Sequence, residues 1–226
     1  MTITQNIKTI QRLIANAEKK FNRAIGSVRL LAVSKQHSPE AINEAFQAGL
    51  SDFGENYLQE ALIKINQLSH LSINWHFIGS IQRNKTKAIA NHFSWVHTVS
   101  TRTIAERLND ARPVNMPPLN VCIQLNLDEE KTKGGISFME ATDLAAYIST
   151  LPRLALRGLM ILPKPITDVE QQYASFLRIT HCLQELNHRL QLSMDTLSMG
   201  MSHDFEAAIR AGSTIVRIGT AIFGKR

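Results

Sequence analysis

Cysteine is scarce in this sequence: the 226 residues include only Cys122 and Cys182. The two form no close pair and show no metal-type spacing, which argues against a disulfide framework and against a cysteine-based zinc site. Cys122 lies in an apolar run and Cys182 in a stretch with helical character. We expect both to be small core residues in a reducing compartment.

Targeting and membrane signals are missing too. The first residues lack the basic and apolar regions of a signal peptide, and no apolar run is long enough to cross a bilayer. The sequence has 25 basic and 19 acidic residues, a net charge of +6, but the basic residues are scattered rather than clustered. This favours a solvated surface over nucleic-acid binding. We therefore expect a cytoplasmic protein with no nucleic-acid or membrane partner.

What the sequence does contain is a regular alternation of short apolar runs and amphipathic stretches. Such runs are typical of buried parallel strands, and the stretches between them are typical of helices. The predicted strands are 28–33, 51–54, 74–78, 95–99, 119–125, 154–161, 196–198 and 214–218. The predicted helices begin with one capped by Thr4 and continue at 39–49, 55–68, 85–92, 101–111, 137–149, 168–190 and 203–211.

Eight strand–helix alternations predict an α/β fold, a single (β/α)8 TIM-type barrel of residues 1–226 with an extra N-terminal helix. The alternative is an open doubly wound sheet, which needs a glycine-rich first turn. The first turn here is Val33-Ser34-Lys35-Gln36-His37, so the barrel is favoured.

Lys35 follows the first predicted strand directly, which places it at the C-terminal mouth where barrels of this kind carry their active sites. A lysine partly desolvated by the barrel wall favours the neutral amine that attacks an aldehyde. The alternative is an ordinary lysine in an exposed loop.

Two loops near the end of the sequence have the composition of a phosphate site. The segment after strand seven contributes the hydroxyls of Ser198 and Ser202, and the segment after strand eight contributes Gly219 and Thr220. Free amides at helix N-termini bind anions, and barrels commonly hold phosphate in these two loops. Each segment alone can equally be a helix cap or a tight turn.

A phosphate site combined with a lysine at a strand end indicates a phosphorylated carbonyl ligand. Pyridoxal 5'-phosphate (PLP) and the sugar phosphate of a Schiff-base aldolase both fit this description. Arg217 bears on the choice, because an arginine bonded to the pyridine nitrogen would keep that nitrogen unprotonated and weaken the ring as an electron sink. The alternative is an exposed surface arginine.

Several motifs, in order along nearly the whole sequence, resemble the pyridoxal phosphate homeostasis proteins (the YggS/PROSC family), which are related to the alanine racemase N-terminal barrel. They begin with Ala32-Val33-Ser34-Lys35, Phe53-Gly54-Glu55-Asn56-Tyr57 and Trp75-His76-Phe77-Ile78-Gly79. The most specific stretch starts at Ser198-Met199-Gly200-Met201-Ser202 and continues to Val216-Arg217-Ile218-Gly219.

The resemblance implies a PLP-binding homeostasis protein that holds the cofactor as a Schiff base on Lys35 and supplies it to PLP-dependent apo-enzymes through transient contacts. It implies that Arg217 faces the pyridine nitrogen and that Asn56 lies near the ring. The phosphate contacts that it implies are Ser198, Ser202, Gly219 and Thr220. It also matches Lys133 to a second lysine near the pocket, although an exposed loop lysine is an equal alternative.

Racemisation requires a second acid–base group opposite the lysine, which the related racemases take from a tyrosine on an additional domain. This sequence ends soon after its last phosphate motif, and none of Tyr57, Tyr147 and Tyr173 has an evident route to that position. We therefore expect a monomeric cofactor carrier without catalytic residues. A slow PLP-dependent racemase and a Schiff-base aldolase are the alternatives. His76 is predicted to be a hydrogen-bonded core histidine rather than a proton shuttle.

Overall fold

The computed structural model describes residues 2–126 and 134–224, and its eight strands form a closed parallel barrel in chain order. Each strand pairs with its sequence neighbour, and the last strand closes on the first with Leu31 opposite Arg217. The strands are β1 Arg29–Val33, β2 Asp52–Glu55, β3 Asn74–Phe77, β4 Trp95–Val99, β5 Leu119–Leu125, β6 Leu154–Ile161, β7 Thr196–Ser198 and β8 Ile215–Ile218. The predicted barrel is confirmed.

Helices surround the barrel, and α1 is the predicted extra N-terminal helix. The helices are α1 Ile3–Lys20, α2 Pro39–Gln47, α3 Leu58–Gln67, α4 Thr86–His92, α5 Arg102–Ala111, α6 Phe138–Ile148, α7 Val169–Leu190, α8 Phe205–Arg210 and α9 Thr220–Phe223, with a 3-10 turn at Arg83–Lys85. No helix in the described part of the sequence is long and apolar enough to cross a membrane.

The helix boundaries differ from the predicted ones at a few caps. Helix α1 is capped by Thr2 rather than Thr4, because Thr2 and Gln5 form a reciprocal capping box. Helix α3 begins at Leu58, since the chain is still extended through Glu55. Helix α9 was not predicted, because four residues are too few to show a helical period.

Two kinds of core hold the barrel. A large apolar cluster fills the space between the outer face of the strands and the helices. Inside the barrel are two small apolar clusters, one around Leu31, Ile78 and Ile215 and the other around Trp95, Cys122 and Met160. Buried polar side chains also lie inside the barrel, among them His76, His97, Ser198 and Arg217. The inside of the barrel is therefore only partly a hydrophobic core, and buried polar groups occupy part of it.

Among the glycines of the described residues, Gly158 leaves the least room for a Cβ atom. A Cβ atom added at Gly158 would lie 1.8 Å from the carbonyl oxygen of Thr196 in β7. We expect Gly158→Ala to lower the free energy of unfolding by about 1–3 kcal/mol, because the added methyl must push the two strands apart. Urea unfolding measures the change. Gly134→Ala is the matched control, since its methyl would meet the Gln124 side chain at an ordinary 3.6 Å; an equal loss in both variants would contradict the explanation.

Candidate functional site

A cavity of about 570 Å³ opens at the C-terminal ends of the strands. That volume lies within the range of roughly 300–1,000 Å³ that is typical of small-molecule sites. Six of the seven predicted site residues line it, and they come from the loops after β1, β2, β7 and β8 and from β8 itself. These six are Lys35, Asn56, Ser202, Arg217, Gly219 and Thr220. Apolar side chains of Val33, Ile78, Met160 and Leu162 complete much of the wall.

Lys35 lies two residues beyond the end of β1, half-buried at the cavity wall. The backbone on both sides of Lys35 is held by a buried ion cluster. The Lys64 ammonium donates to the Ser34 carbonyl oxygen at 2.8 Å, and the Gln36 N–H donates to Glu60 Oε1 at 2.5 Å. These bonds fix the peptide groups that flank the lysine, so the base of its side chain has little freedom.

The ion cluster consists of Lys64, Glu55 and Glu60. Lys64 Nζ lies 2.8 Å from Glu55 Oε1 and 2.5 Å from Glu60 Oε1, and Ser34 Oγ donates to Glu55 Oε1 at 2.6 Å. Glu55 is fully buried, and this burial raises the pKa of its carboxyl group although the Lys64 contacts oppose the shift. The sequence gives no signal for the role of Lys64, because a lysine on an amphipathic helix normally faces solvent.

Arg217 forms the inner end of the cavity. Its guanidinium donates through Nη1 to the Ser198 carbonyl oxygen at 2.6 Å and to Ser198 Oγ at 2.9 Å, and through Nη2 to the Ile161 carbonyl oxygen at 2.8 Å. Burial lowers the pKa of Arg217 to about 10, so the group is still a cation at neutral pH. The prediction of a site residue is therefore favoured over an exposed surface arginine.

Ser198 does not line the cavity, which corrects one expected contact. The residue is fully buried in β7, and its hydroxyl meets Arg217 on one side and His97 Nδ1, at 2.8 Å, on the other. Both neighbours lie inside the barrel, so the hydroxyl cannot also point to a phosphate at the mouth. The last residue of β7 supports Arg217 instead.

The two predicted phosphate loops lie side by side. The loop after β7 is tied to β8 by a bond from the Arg217 N–H to the Gly200 carbonyl oxygen at 2.9 Å. Gly200 has φ +95°, and an added Cβ would lie 2.7 Å from the Ala208 Cβ atom, so only glycine fits this turn. Beyond β8, Thr220 and Ala221 begin the four-residue helix α9, in which the N–H groups of Ile222 and Phe223 already donate to the Gly219 carbonyl oxygen.

The histidines and tyrosines considered in the sequence lie in different parts of the structure. His76 is fully buried and hydrogen-bonded, which confirms the prediction. His203 lies on the cavity wall next to Ser202. The side chains of Tyr147 and Tyr173 stack under Arg102 and Arg210, and Tyr57 is exposed. Within the described residues no tyrosine lines the cavity. Lys133 lies outside the described residues.

Comparisons with known proteins agree with this architecture. Residues 5–226 match the family model described as the alanine racemase N-terminal domain. A protein of Pseudomonas aeruginosa named pyridoxal phosphate homeostasis protein is 51% identical over 225 residues, covering 100% of this chain and 96% of the relative. A protein of the same name from Vibrio cholerae is 52% identical over 229 residues, covering 100% and 97%. The solved structure of PipY from Synechococcus elongatus with PLP bound has a TM-score of 0.87 at 32% identity, covering 99% of this chain and 100% of that one.

The ion cluster behind Lys35 gives a stability prediction. Lys64→Met should lower the free energy of unfolding by about 3–5 kcal/mol, because the buried Glu55 carboxylate loses its counter-ion. The loss should shrink as the pH falls from about 8 to about 5, since a Glu55 with a raised pKa takes up a proton more readily in the folded state than in the unfolded state. Urea unfolding over this range measures it, with the exposed Lys87→Met as control. A loss that does not depend on pH would contradict the role of Glu55.

Proposed function

The chain belongs to the alanine racemase N-terminal domain family and, within it, to the pyridoxal phosphate homeostasis proteins, and from this premise we propose that it binds PLP at the barrel mouth. We propose further that Lys35 holds the cofactor as a Schiff base and that the protein supplies it to PLP-dependent apo-enzymes. The observation that carries the proposal is the convergence of the Lys35 amine, the Arg217 guanidinium and the two loop segments on one cavity.

The lining residues fit such a ligand. Asn56 Oδ1 is buried and has no hydrogen-bond partner among the described residues, so a polar ligand atom can complete it. An asparagine amide presents either its oxygen or its NH2 group by rotating, and it therefore suits the phenolic oxygen of PLP in either protonation state. The apolar wall of Val33, Ile78 and Met160 suits the faces of an aromatic ring.

The phosphate has a matching place beside α9. Ser202 and Thr220 contribute hydroxyls to the cavity, and the N–H groups of Thr220 and Ala221, the first two residues of α9, add donors for which the helix has no preceding carbonyl. Gly219 lets this turn lie against the end of β1, because a Cβ atom at this position would meet the Val33 carbonyl oxygen at 3.1 Å. Arg217 adds positive charge to the same cavity, which favours a dianionic phosphate ester.

Arg217 suits the pyridine nitrogen. When bound, PLP can act as an electron sink for carbanion chemistry, and that capacity is greatest when its ring nitrogen is protonated. A guanidinium only donates hydrogen bonds and keeps its own protons at neutral pH, so Arg217 would leave the nitrogen unprotonated. This environment favours holding the cofactor over using it for catalysis.

The relatives' names and the tyrosine positions also support a carrier rather than an enzyme. The similar curated proteins are named for PLP homeostasis and not for a reaction. Among the described residues, the cavity wall has no tyrosine that could serve as the second acid–base group of a racemase. His203 is a titratable group on the wall, but it adjoins Ser202 and so belongs to the proposed phosphate side. We further expect a monomeric cytoplasmic protein.

The covalent anchor is tested by visible absorption. Wild-type protein mixed with PLP should show the absorption band of the Schiff base, and borohydride reduction should fix one cofactor on Lys35, as read by peptide mass spectrometry. Lys35→Ala should lose both signals. Lys87→Ala, which removes an exposed lysine from helix α4, should keep both. Reduction that labels another lysine in wild type would rule out Lys35 as the anchor.

Turnover separates a carrier from a racemase. Holo-protein incubated with alanine and with other amino acids should racemise them far more slowly than about 1 s⁻¹, the lower range for dedicated enzymes. The physical reason is that, among the described residues, no tyrosine lines the cavity to act as the opposed acid–base group of a racemase. Chiral chromatography of the amino acid measures the rate. Turnover at or above that rate would contradict the carrier function and indicate a racemase. A colourless protein that borohydride traps only in the presence of a sugar phosphate would indicate a Schiff-base aldolase.

A further inference from the structure

A continuous row of hydrogen bonds crosses the inside of the barrel from its opposite end to Arg217. Asp52 Oδ1 lies 3.0 Å from His76 Nε2, and His76 Nδ1 lies 2.9 Å from His97 Nε2. His97 Nδ1 lies 2.8 Å from Ser198 Oγ, which lies 2.9 Å from Arg217 Nη1. We call these five residues the interior network. It runs from β2 through β3 and β4 to β7 and β8, between the two apolar clusters inside the barrel.

The two ends of the interior network have fixed charges. Arg217 is a cation that can only donate. Asp52 is partly buried, which works to raise its pKa, but the hydrogen bond from His76 and the charge of Arg29 outweigh burial and lower it. Asp52 is therefore an anion that can only accept. Between them stand two imidazoles and one hydroxyl, each of which could in principle point its proton either way.

Burial keeps both imidazoles neutral. His76 and His97 are fully buried, and burial lowers the pKa of each, that of His97 well below its usual value. The charged groups that act on the two rings are Asp52, which favours a cation at His76, and Arg29 and Arg217, which oppose one. The rings of Trp95 and His76 are stacked, with 5.5 Å between ring centres and 4° between planes.

With neutral rings, only one arrangement of protons satisfies every contact. His76 Nε2 faces a carboxylate and must carry its proton there, which leaves Nδ1 as an acceptor. His97 must then donate from Nε2, so its Nδ1 accepts from the Ser198 hydroxyl. The Ser198 oxygen in turn accepts from Arg217. All four bonds run in one direction, from the guanidinium to the carboxylate.

This direction cannot reverse while Arg217 is a cation, because a guanidinium has no lone pair to accept the Ser198 proton. The interior network therefore does not relay protons. It holds them in one fixed arrangement, which we call the lock. It also commits the guanidinium: among the described residues, Ser198 and Ile161 accept three of its five N–H groups, leaving two for a ligand.

We propose that His97, His76 and Asp52 are positioning residues that act through Ser198 to hold Arg217 as a fixed, one-directional donor at the inner end of the cavity. The proposal rests on the proposed function in one respect, namely that Arg217 contacts the cofactor ring. It assigns a role in ligand binding to Asp52, which lies at the other end of the barrel and does not line the cavity.

The proton arrangement is read directly from apo-protein. Nitrogen-15 NMR of the histidine side chains should show both His76 and His97 as neutral Nε2–H tautomers at neutral pH, with assignments made from His76→Gln and His97→Gln. This readout needs no cofactor, so it is independent of whether the protein binds PLP. A cationic His76, or an Nδ1–H tautomer at either ring, would overturn the lock.

The positioning role is tested by a matched pair of carboxylate variants. Asp52→Asn keeps the shape of the side chain and removes the anion, so the His76 tautomer should become mixed and the Kd for PLP should rise about threefold to tenfold, the loss of roughly one hydrogen bond. Asp195→Asn removes a carboxylate that bonds Arg157, which packs over the same Trp95 ring without belonging to the interior network. It should change neither signal.

The possible results distinguish a failure of the interior network, of its positioning role and of the proposed function. Unchanged tautomers in Asp52→Asn, or equal effects of the two variants, would contradict the interior network as the cause. Altered tautomers with an unchanged Kd would show that the interior network exists but does not position Arg217. Wild-type protein that fails to bind PLP, yet shows the expected tautomers, would overturn the proposed function and leave the lock intact.

Discussion

The burial of a guanidinium inside the barrel is the constraint on which the rest of this site depends. An ionised group removed from water must recover its solvation from fixed partners, or it is not stable as an ion. Arg217 recovers it from the carbonyl oxygens of Ser198 and Ile161 and from the Ser198 hydroxyl. That hydroxyl needs an acceptor of its own, which requires His97, and the requirement continues through His76 to Asp52, where the row ends in a carboxylate. The row of polar groups inside the barrel thus supplies hydrogen-bond partners, directly or in sequence, to one buried cation, Arg217.

The support of Lys35 follows the same logic outside the barrel. Lys64 is as deeply buried as Arg217, and its ammonium is likewise surrounded by oxygen atoms, two from carboxylates and one from the Ser34 backbone. Because one of those acceptors is the peptide group next to Lys35, the requirement to solvate a buried cation also orders the loop that carries the amine. In each place, groups that do not contact the ligand position one that does. Lys64 orders the loop of Lys35, and the row of groups from Ser198 to Asp52 holds Arg217.

The sequence was sufficient to predict the barrel because buried parallel strands appear as short apolar runs, and four of the eight predicted strands have the observed limits. The order of strands and loops was enough to place Lys35, Arg217 and Thr220 on the cavity wall. It failed for Ser198, because β7 has only three residues and the alternation of faces has no clear phase in so short a strand. Position in the predicted strands also could not predict the contact between His97 and His76. The register pairs His76 with Trp95, and only the stagger between the strands brings His97, two residues later, into contact.

A site built in this way favours retention of the cofactor over reaction. Catalysis with PLP requires a ring that accepts electrons and acid–base groups on both faces of the reacting carbon. In the proposed complex, a guanidinium locked as a donor withholds a proton from the ring nitrogen. Within the described structure, no tyrosine lines the cavity, and apolar side chains such as Val33, Ile78 and Met160 form part of its wall. In that complex, the groups that hold Arg217 would also keep the ring a poor electron sink. A protein with the proposed function would then hold PLP without turning over the free amino acids that reach the cavity.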